Sequence, residues 1–534
     1  IKMKFDKKCL FLFLFCIVLY GAFLGTIPLL DPDEPVYGET AKEMMATGDF
    51  LSPRIYGEFW YDKPPLFYWL EALSFSLFGV STWAARLPSL LLGAITPVYL
   101  YLSSRKLIGE KAALRGAFIC ATSLEIIVLA RSSVTDTLLT FTLTVALMSF
   151  LRKEYMTAYI FCGLALLTKG PIGFGFPALI VGIWMIATKQ FRLKEIMALK
   201  WYWGIPLACL VGLPWYMAMG HIHGSAFIDT FLGYHNVTRF VSPEHAGQNH
   251  YWLYLVVLLA GFYPWSGTLP GIFRRTKKWM RDKTGAFFFV WALFIFIFFS
   301  LSSTQLFSYV LPMFPPLSLL AGMYLADIEE SGHISKTLII SHLIFSLITA
   351  GAIALAPITP EGGPIVRWAI VFFMVLAAAL AAVGLRKGRF HTFMVTQALL
   401  ILVFVLSIWG AFASSVSSLF TSAAIAEKLA RTERDSAIPL YIDTFYRPSI
   451  AFYTDIYGRA LPEFDVRKQA ADESNAEKGV LLPGKDEEAA LPKEAYILVQ
   501  KKVYKNWPKE QQSQVTVLWD KDTALLLLKK EDSH

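Results

Sequence analysis

The chain has 534 residues, of which 55% are hydrophobic and only 17% are charged, and its mean hydropathy is +0.49. A composition this apolar excludes an ordinary soluble protein and indicates a polytopic membrane protein. The formal net charge of +8 follows the membrane topology described below, so it does not require a nucleic-acid partner.

Apolar runs recur along the chain as far as residue 413. A membrane span needs about 20 mostly apolar residues. On that basis we predict about thirteen transmembrane helices, with ends uncertain by several residues. They lie at 9–30, 84–106, 112–131, 134–151, 155–168, 172–188, 201–220, 251–271, 286–303, 306–326, 337–356, 365–385 and 392–413.

The basic residues sort the loops into two sides. The first run follows four lysines, is longer than a signal-peptide core and precedes no small-residue cleavage site, so we expect it to be retained. With the N-terminus inside, the inner segments carry most of the Lys and Arg residues that precede the tail, in agreement with the positive-inside rule. They are 1–8, 103–115, 152–154, 189–200, 274–283, 327–336 and 386–391. An odd number of spans then places the tail outside.

Three outer segments are more than turns: 31–83, 221–250 and the tail from about 414. In the first outer loop, 31–83, the stretches "EPVYGETAKEMMATG" and "PPLFYWLEALSFSLFG" read as two short interfacial helices, each ending in Gly. In the tail, "AIPLYIDTF", "EAYILVQKK" and "TALLLLKKE" are strand-like runs between charged stretches. We therefore predict a transmembrane domain at 1–413 and a small soluble α/β domain at 414–534.

Ionisable residues gather at the outer membrane boundary, where they are the best clues to function. A carboxylate there can accept a proton from an attacking hydroxyl, and cations can stabilise a phosphate leaving group. Because the sequence has no P-loop and no GxGxxG, a lipid-linked sugar donor fits this chemistry better than a nucleotide. The residues are Asp33, Glu34, Asp62, Lys63, Arg86, Arg131, Asp136, Lys169, His235 and Arg239.

Structural roles compete with the functional interpretation of six of these residues. Asp33 precedes Glu-Pro and suits a helix N-cap, and Asp136 favours the dipole at the start of a span. Lys63 would serve as an interfacial anchor, while Arg86, Lys169 and Arg239 would snorkel to the lipid headgroups. The histidines of one outer loop leave a divalent metal open, although HxH at 221–223 is weak without partner residues.

Quoted together, the motifs resemble those of the bacterial lipid A aminoarabinose transferase family, which is related to the protein O-mannosyltransferases and has the GT-C fold. The first outer loop, "DEPVYGETAKEMMATGDFLSPRIYGEFWYDKPPLFYW", carries the most specific part of the likeness. Further matches follow in order: "TDTLLTFTLTVAL", "GLALLTKGPIG", "HNVTRF", "GFYPWS", "FSYVLPMFPPLSLLAG" and, in the tail, "YRPSIAFYTD".

The resemblance implies an inverting glycosyltransferase of a bacterial cytoplasmic (inner) membrane that takes its sugar from undecaprenyl phosphate. It implies that Asp33 is the principal catalytic carboxylate and Asp136 the second. The donor phosphate would be held by Lys63, with Tyr309 nearby and Arg86, Lys169 and Arg239 as further cations. We expect substrate contacts from Glu34, Tyr37, Tyr61, Asp62 and His235.

This chain departs from the family pattern at two positions. Val36 stands where the family commonly has an Arg before the loop tyrosine, so one phosphate contact would either be absent or fall to Arg86 or Arg239. Asp62 stands where the aminoarabinose enzymes have a Glu at a metal site, which leaves the metal undecided. The acceptor stays open among lipid A, lipopolysaccharide core and protein.

Two functions outside the enzyme class compete with this reading. A solute transporter or lipid flippase would place its charges near the bilayer midplane and often shows repeated halves. A non-catalytic envelope scaffold would not need clustered ionisable groups at its outer loops. The one-sided charges and the absence of a repeat in this sequence favour the enzyme.

Overall fold

The computed structural model describes residues 5–231, 233, 252–332, 334–442, 448–461, 492, 494–521 and 524–529. The chain forms two compact units. The first comprises Ile1–Ile27, Gly48–Pro53 and Tyr61–Ser415, and the second comprises Pro28–Thr47, Arg54–Trp60 and Val416–His534. The second unit thus includes part of the first outer loop together with the tail, while the division into 1–413 and 414–534 stays a prediction.

Helices make up most of the described chain. Up to Phe227 they are α1 Lys7–Gly21, α2 Asp33–Thr47, α3 Leu66–Phe78, α4 Thr82–Ile108, α5 Glu110–Thr122, α6 Leu124–Ala130, α7 Thr135–Leu151, α8 Tyr155–Lys169, α9 Ile172–Ala187, α10 Leu193–Ala198 and α11 Trp201–Phe227.

The remaining helices are α12 Leu253–Gly261, α13 Leu269–Arg274, α14 Thr276–Trp279, α15 Lys283–Ser300, α16 Phe314–Ser331, α17 Lys336–Leu355, α18 Gly363–Arg386, α19 Phe390–Leu406, α20 Ala413–Phe420, α21 Ala423–Arg431, α22 Pro448–Thr454, α23 Lys501–Lys505 and α24 Lys509–Ser513. Two 3₁₀ helices cover Ser266–Thr268 and Phe307–Met313.

Seven of the described helices are long and apolar enough to cross a membrane, or up to nine if each of two bent pairs is one span. The bends are 58° between α5 and α6 and 108° between Leu253–Gly261 and Ser266–Arg274. The chain is thus a multi-pass membrane protein. Each predicted span overlaps a helix or a bent pair, but the count of thirteen is not confirmed, because several of these helices are shorter than about 20 residues.

Both helices predicted in the first outer loop are present, as α2 and α3. α2 ends immediately before Gly48, whose φ is 69°, and Gly79, with φ 79°, follows α3. Such left-handed backbone conformations favour glycine, which explains both ends. We expected α2 to lie at an interface, yet most of its residues are buried, including Glu34, Glu39 and Glu43.

Small residues let the helices of the first unit approach closely. A Cβ on Gly322 of α16 would lie 2.4 Å from the Ala112 carbonyl oxygen and 2.5 Å from the Gly116 nitrogen of α5. A Cβ on Gly116 would in turn lie 3.0 Å from the Leu319 Cα. This arrangement is typical of membrane helices, whose association depends on close packing.

The second unit contains a five-stranded sheet of order β4-β3-β5-β7-β6. Its strands are β3 Leu440–Ile442, β4 Arg459–Ala460, β5 Ala495–Gln500, β6 Val515–Lys521 and β7 Ala524–Lys529, and the hairpin β1 Arg54–Ile55 and β2 Glu58–Phe59 lies apart from it. β3 runs parallel to β4 and β5, whereas β7 is antiparallel to β5 and β6. The three strand-like runs of the tail correspond to β3, β5 and β7.

The contact between α5 and α16 can be tested with one methyl group. We expect Gly322→Ala to destabilise the protein by about 1–3 kcal/mol, because the added Cβ overlaps backbone atoms that cannot rotate away. The matched control is Gly351→Ala in α17, where a Cβ meets nothing within 4 Å. Thermal unfolding in detergent measures both variants, and an equal midpoint for the two would contradict this packing.

Candidate active site

Two charged residues singled out in the sequence pair directly in the first unit. Lys169 is the last residue of α8 and Asp136 is the second residue of α7, and the Lys169 Nζ lies 2.5 Å from the Asp136 Oδ1. Their side chains are 10% and 6% exposed. The short turn between the two helices brings these ends together, and each charge suits the dipole of the helix that carries it.

An aromatic ring from a distant stretch of sequence completes this pair. Tyr309 belongs to the 3₁₀ helix Phe307–Met313, and the Lys169 Nζ lies 4.4 Å from the centroid of its ring. Phe299 packs against the same ring at 5.3 Å. A cation over an aromatic face is stabilised by the ring quadrupole. Three of the predicted site residues, Asp136, Lys169 and Tyr309, therefore converge.

The first outer loop brings a second ion pair to the same unit. The Lys63 Nζ lies 2.8 Å from the Asp62 Oδ1, and each side chain is 13% exposed. Tyr61 and Leu66, on either side of this pair, pack against a buried cluster that also contains Leu167, two residues before Lys169. The chain on either side of Lys63 and the C-terminal part of α8 therefore pack against the same apolar cluster.

His223, the second histidine of the HxH pattern, lies within hydrogen-bond distance of two hydroxyl groups. The Nδ1 of His223 lies 3.0 Å from the Tyr61 hydroxyl, and its Nε2 lies 2.8 Å from the Ser52 Oγ. Across the part of the chain that the structure describes, no group of three His, Cys, Asp or Glu residues is placed to hold a metal. His235 and Arg239 lie outside the described residues, so their proposed roles stay predictions.

Two buried arginines donate hydrogen bonds to backbone carbonyl groups near the C-terminal end of α1. The Nη1 of Arg86 donates to the carbonyl oxygens of Leu24 and Ile27, each at 2.7 Å. The Nη1 of Arg131 donates to the Tyr20 carbonyl at 2.6 Å, and its guanidinium lies 4.3 Å from the Trp409 ring centroid. The structure thus shows a scaffold contact for Arg86, and its predicted role at the phosphate stays a prediction.

The remaining predicted residues lie in the second unit. Asp33 is the exposed first residue of α2. Glu34 is buried, and its Oε2 accepts a hydrogen bond from the Leu30 backbone N–H at 2.8 Å. Tyr37 is buried one turn further along. Asp33 therefore lies at the positive end of a helix dipole, where a negative charge is stabilised.

Sequence analysis missed a cluster of acids inside α2. Glu39 is fully buried, accepts a hydrogen bond from the Tyr457 hydroxyl at 3.1 Å and lies 3.4 Å from the Lys42 Nζ. The Glu43 carboxylate accepts hydrogen bonds from the backbone N–H groups of Tyr56 and Gly57. Spacing of four residues placed Glu39 and Glu43 on one helix face, but the sequence did not show that this face is covered.

Glu125 was missed as well. It lies in α6, directly after the bend in a broken helix pair, and is 7% exposed. Its signal was a single acid inside the apolar run "LEIIVLA", a pattern that marks functional positions in membrane helices.

Comparisons with known proteins identify the family. The model of the dolichyl-phosphate-mannose-protein mannosyltransferase family matches residues 62–217. The undecaprenyl phosphate-alpha-4-amino-4-deoxy-L-arabinose arabinosyl transferase of Edwardsiella ictaluri is 30% identical over 383 residues, which are 68% of this chain and 67% of that protein. The chain belongs to this arabinosyl transferase family.

Further comparisons agree with this assignment. A second arabinosyl transferase, from Sodalis glossinidius, is 32% identical over 347 residues, or 62% of each chain. The crystal structure of ArnT from Cupriavidus metallidurans bound to undecaprenyl phosphate matches with a TM-score of 0.77 over 97% of each chain, at 21% identity. That likeness shows the fold. Membership in the arabinosyl transferase family confirms the prediction of a membrane glycosyltransferase and gives no support to a transporter or flippase.

The buried Glu39 predicts a pH-dependent stability. Burial raises the pKa of Glu39 to about 7, against the opposing charge of Lys42. Because this folded-state pKa lies above the ordinary value of 4.5, the contribution is complete below about pH 4.5 and is lost as the pH rises to about 7. Between pH 4.5 and 8 the free energy of unfolding of Glu39→Gln should therefore rise by about 3 kcal/mol relative to that of the unmodified chain.

Thermal unfolding at several pH values measures this effect. The control is Glu427→Gln, whose side chain is 63% exposed and whose replacement should leave the pH profile unchanged. If Glu39→Gln and the unmodified chain differ equally at pH 4.5 and pH 8, the buried acid is not the source of the dependence.

Proposed function

We propose that this enzyme moves a sugar from a polyprenyl (undecaprenyl) phosphate donor to an envelope acceptor such as lipid A, lipopolysaccharide core or protein. The reaction takes place on the outer face of the cytoplasmic membrane, with the N-terminus inside, about thirteen spans, and residues 414–534 outside. The names of the related enzymes give undecaprenyl phosphate as the carrier of aminoarabinose in those proteins. The observation that carries the proposal in this chain is the convergence of Asp136, Lys169 and Tyr309.

The lysines supply the chemistry that a phosphate leaving group needs. As the bond between the anomeric carbon and the phosphate oxygen breaks, negative charge grows on the phosphate. Lys63 and Lys169, together with Arg239, hold this charge. Asp136 and the Tyr309 ring fix the Lys169 ammonium beforehand, so little reorganisation is required when the donor arrives. Such preorganisation is the main source of electrostatic catalysis.

Asp33 acts on the acceptor. The acceptor hydroxyl oxygen attacks the anomeric carbon, its proton passes to the Asp33 carboxylate, and the phosphate departs with the bonding electron pair. Direct displacement of this kind inverts the anomeric centre. Asp136 assists as the second carboxylate, and Glu34, Tyr37, Tyr61, Asp62 and His235 contact the substrates.

An apolar cavity offers room for part of the polyprenyl chain. Its volume is about 340 Å³, and every residue that lines it is apolar. Met313, in the 3₁₀ helix that also carries Tyr309, is one of these residues. A polyprenyl tail comes from lipid rather than from water, so it would fill such a space through van der Waals packing. The cavity therefore suits the tail of a donor whose phosphate lies near Tyr309.

The catalytic role of Asp33 predicts the behaviour of one variant. We expect Asp33→Asn to lower the transfer rate at least about 100-fold, because the amide cannot accept the proton, while the thermal midpoint in detergent stays unchanged. The control is Asp520→Asn, the same substitution at an exposed carboxylate of β6. Transfer is followed by mass spectrometry with a purified polyprenyl phosphate sugar, and an active Asp33→Asn enzyme would refute the assignment.

The sugar and the acceptor can be identified together. Lipid A, polysaccharide and envelope proteins from cells with and without this chain are compared by mass spectrometry. We expect one of these classes to lose the mass of one sugar when the chain is absent, and Asp33→Asn to reproduce that loss. Unchanged masses in all three classes would contradict the proposed function.

A further inference from the structure

A short helix of the second unit is held at both ends by the segment that carries Asp33. This helix, α22, covers Pro448–Thr454, and its neighbour α21 begins at Ala423. Both follow the membrane helices in the sequence, whereas Asp33 belongs to the first outer loop. The contacts between them therefore join parts of the chain that are about 400 residues apart.

Asp31 makes the contacts at the N-terminal end of α22. Its Oδ1 accepts a hydrogen bond from the Ser449 backbone N–H at 3.2 Å, and its Oδ2 accepts from the Ser449 hydroxyl at 2.6 Å. The Oδ2 also accepts from the Ser422 N–H at 2.8 Å, in front of α21. The Asp31 backbone N–H donates to the Phe420 carbonyl at 2.8 Å.

Lys42 makes the contacts at the other end of α22. Its Nζ donates to the carbonyl oxygens of Ala451 and Phe452 at 3.1 and 3.0 Å and lies 2.6 Å from the Asp455 Oδ1. Between the two ends, Gly38 of α2 packs so closely that an added Cβ would lie 2.8 Å from the Phe452 ring. α2 and α22 are thus closely packed and joined by hydrogen bonds.

The charges of Asp31 and Lys42 suit the two ends of α22 that they contact. A carboxylate at the start of α22 and an ammonium at its end complement the helix dipole, and hydrogen bonds to ionised groups are stronger than neutral ones. Burial raises the pKa of Asp31, while the hydrogen bonds from Ser449 and Ser422 oppose that rise. Removing these donors would leave a buried charge uncompensated, which is costly.

We propose that Asp31 is a positioning residue for the transfer reaction: by its bonds to Ser422 and Ser449 it fixes the start of α2 and hence the location of the Asp33 carboxylate. This inference rests on the proposed function of Asp33. Asp33 lies two residues after Asp31, so the backbone held by Asp31 sets where its side chain begins. The α21–α22 region of the tail thereby serves catalysis, although it supplies no reacting group.

The test compares the rate with the donor KM in the full-length enzyme. A displacement of about 1 Å at a reacting group lowers a rate roughly 100-fold. We expect Asp31→Ala to lower kcat by about 10- to 100-fold while the donor KM changes less than about threefold. Asp31→Asn should retain more activity than Asp31→Ala, because its side-chain oxygen still accepts one of the N–H bonds.

Ser449→Ala tests the same interaction from the other partner. We expect a smaller loss of kcat from Ser449→Ala alone and no further loss when it is combined with Asp31→Ala, because its hydroxyl acts through Asp31. The matched control is Asp435→Asn, since the Oδ1 of Asp435 accepts the Ala437 N–H within its own turn, and we expect full activity from it. If Asp31→Ala does not fold, Ser449→Ala and Asp31→Asn decide the question.

Several results would overturn the inference. Normal turnover by the Asp31 variants would do so, as would a parallel loss of kcat, donor affinity and thermal midpoint, which indicates a structural role only. Losses of kcat that add fully in the double variant would also contradict it. If instead Asp33→Asn stays active, the proposed function itself fails, so the two failures are distinguishable.

Discussion

An ionised side chain inside an apolar scaffold is stable only when a partner compensates the solvation it has lost. The Asp136–Lys169 pair shows this constraint most clearly. Both side chains are at most 10% exposed and lie at the ends of two consecutive helices, and the Tyr309 ring covers the ammonium. Because a buried ion pair adds little to stability over an apolar pair of the same size, we propose that this pair serves the reaction rather than the fold.

In the second unit, charged side chains with compensating partners join segments that are far apart in the sequence. Asp31 and Lys42 hold the two ends of α22 with charges of opposite sign, and Glu39 is buried among hydrogen-bonding partners beside them. The helix that begins at Asp33 is therefore fixed by polar contacts rather than by apolar packing alone. Since burial raises the pKa of Glu39 to about 7, the stability that its protonated form contributes should be lost between about pH 4.5 and 7.

The sequence was sufficient to predict features that depend on nearby residues or on composition. The apolar runs gave the helices of the first unit, and the turn between α7 and α8 was short enough to bring Asp136 and Lys169 to one boundary. The role of Asp31 could not be predicted, because Ser422 and Ser449 lie about 400 residues away. Likewise, the outer-loop histidines left a metal open, whereas His223 binds the hydroxyls of Tyr61 and Ser52, a pairing that no spacing rule indicates.

The most direct test replaces the Asp136–Lys169 pair with an uncharged pair of similar volume, Asp136→Asn with Lys169→Met, and measures the affinity of the purified enzyme for polyprenyl phosphate. The fold should persist, with a thermal midpoint within a few degrees, because neutral replacement of a buried ion pair is often tolerated or stabilising. We expect the affinity to fall at least about tenfold, which corresponds to about 1.4 kcal/mol, since the Lys169 charge no longer faces the phosphate. Affinity and transfer rate equal to those of the unmodified enzyme would show that the pair is only part of the scaffold.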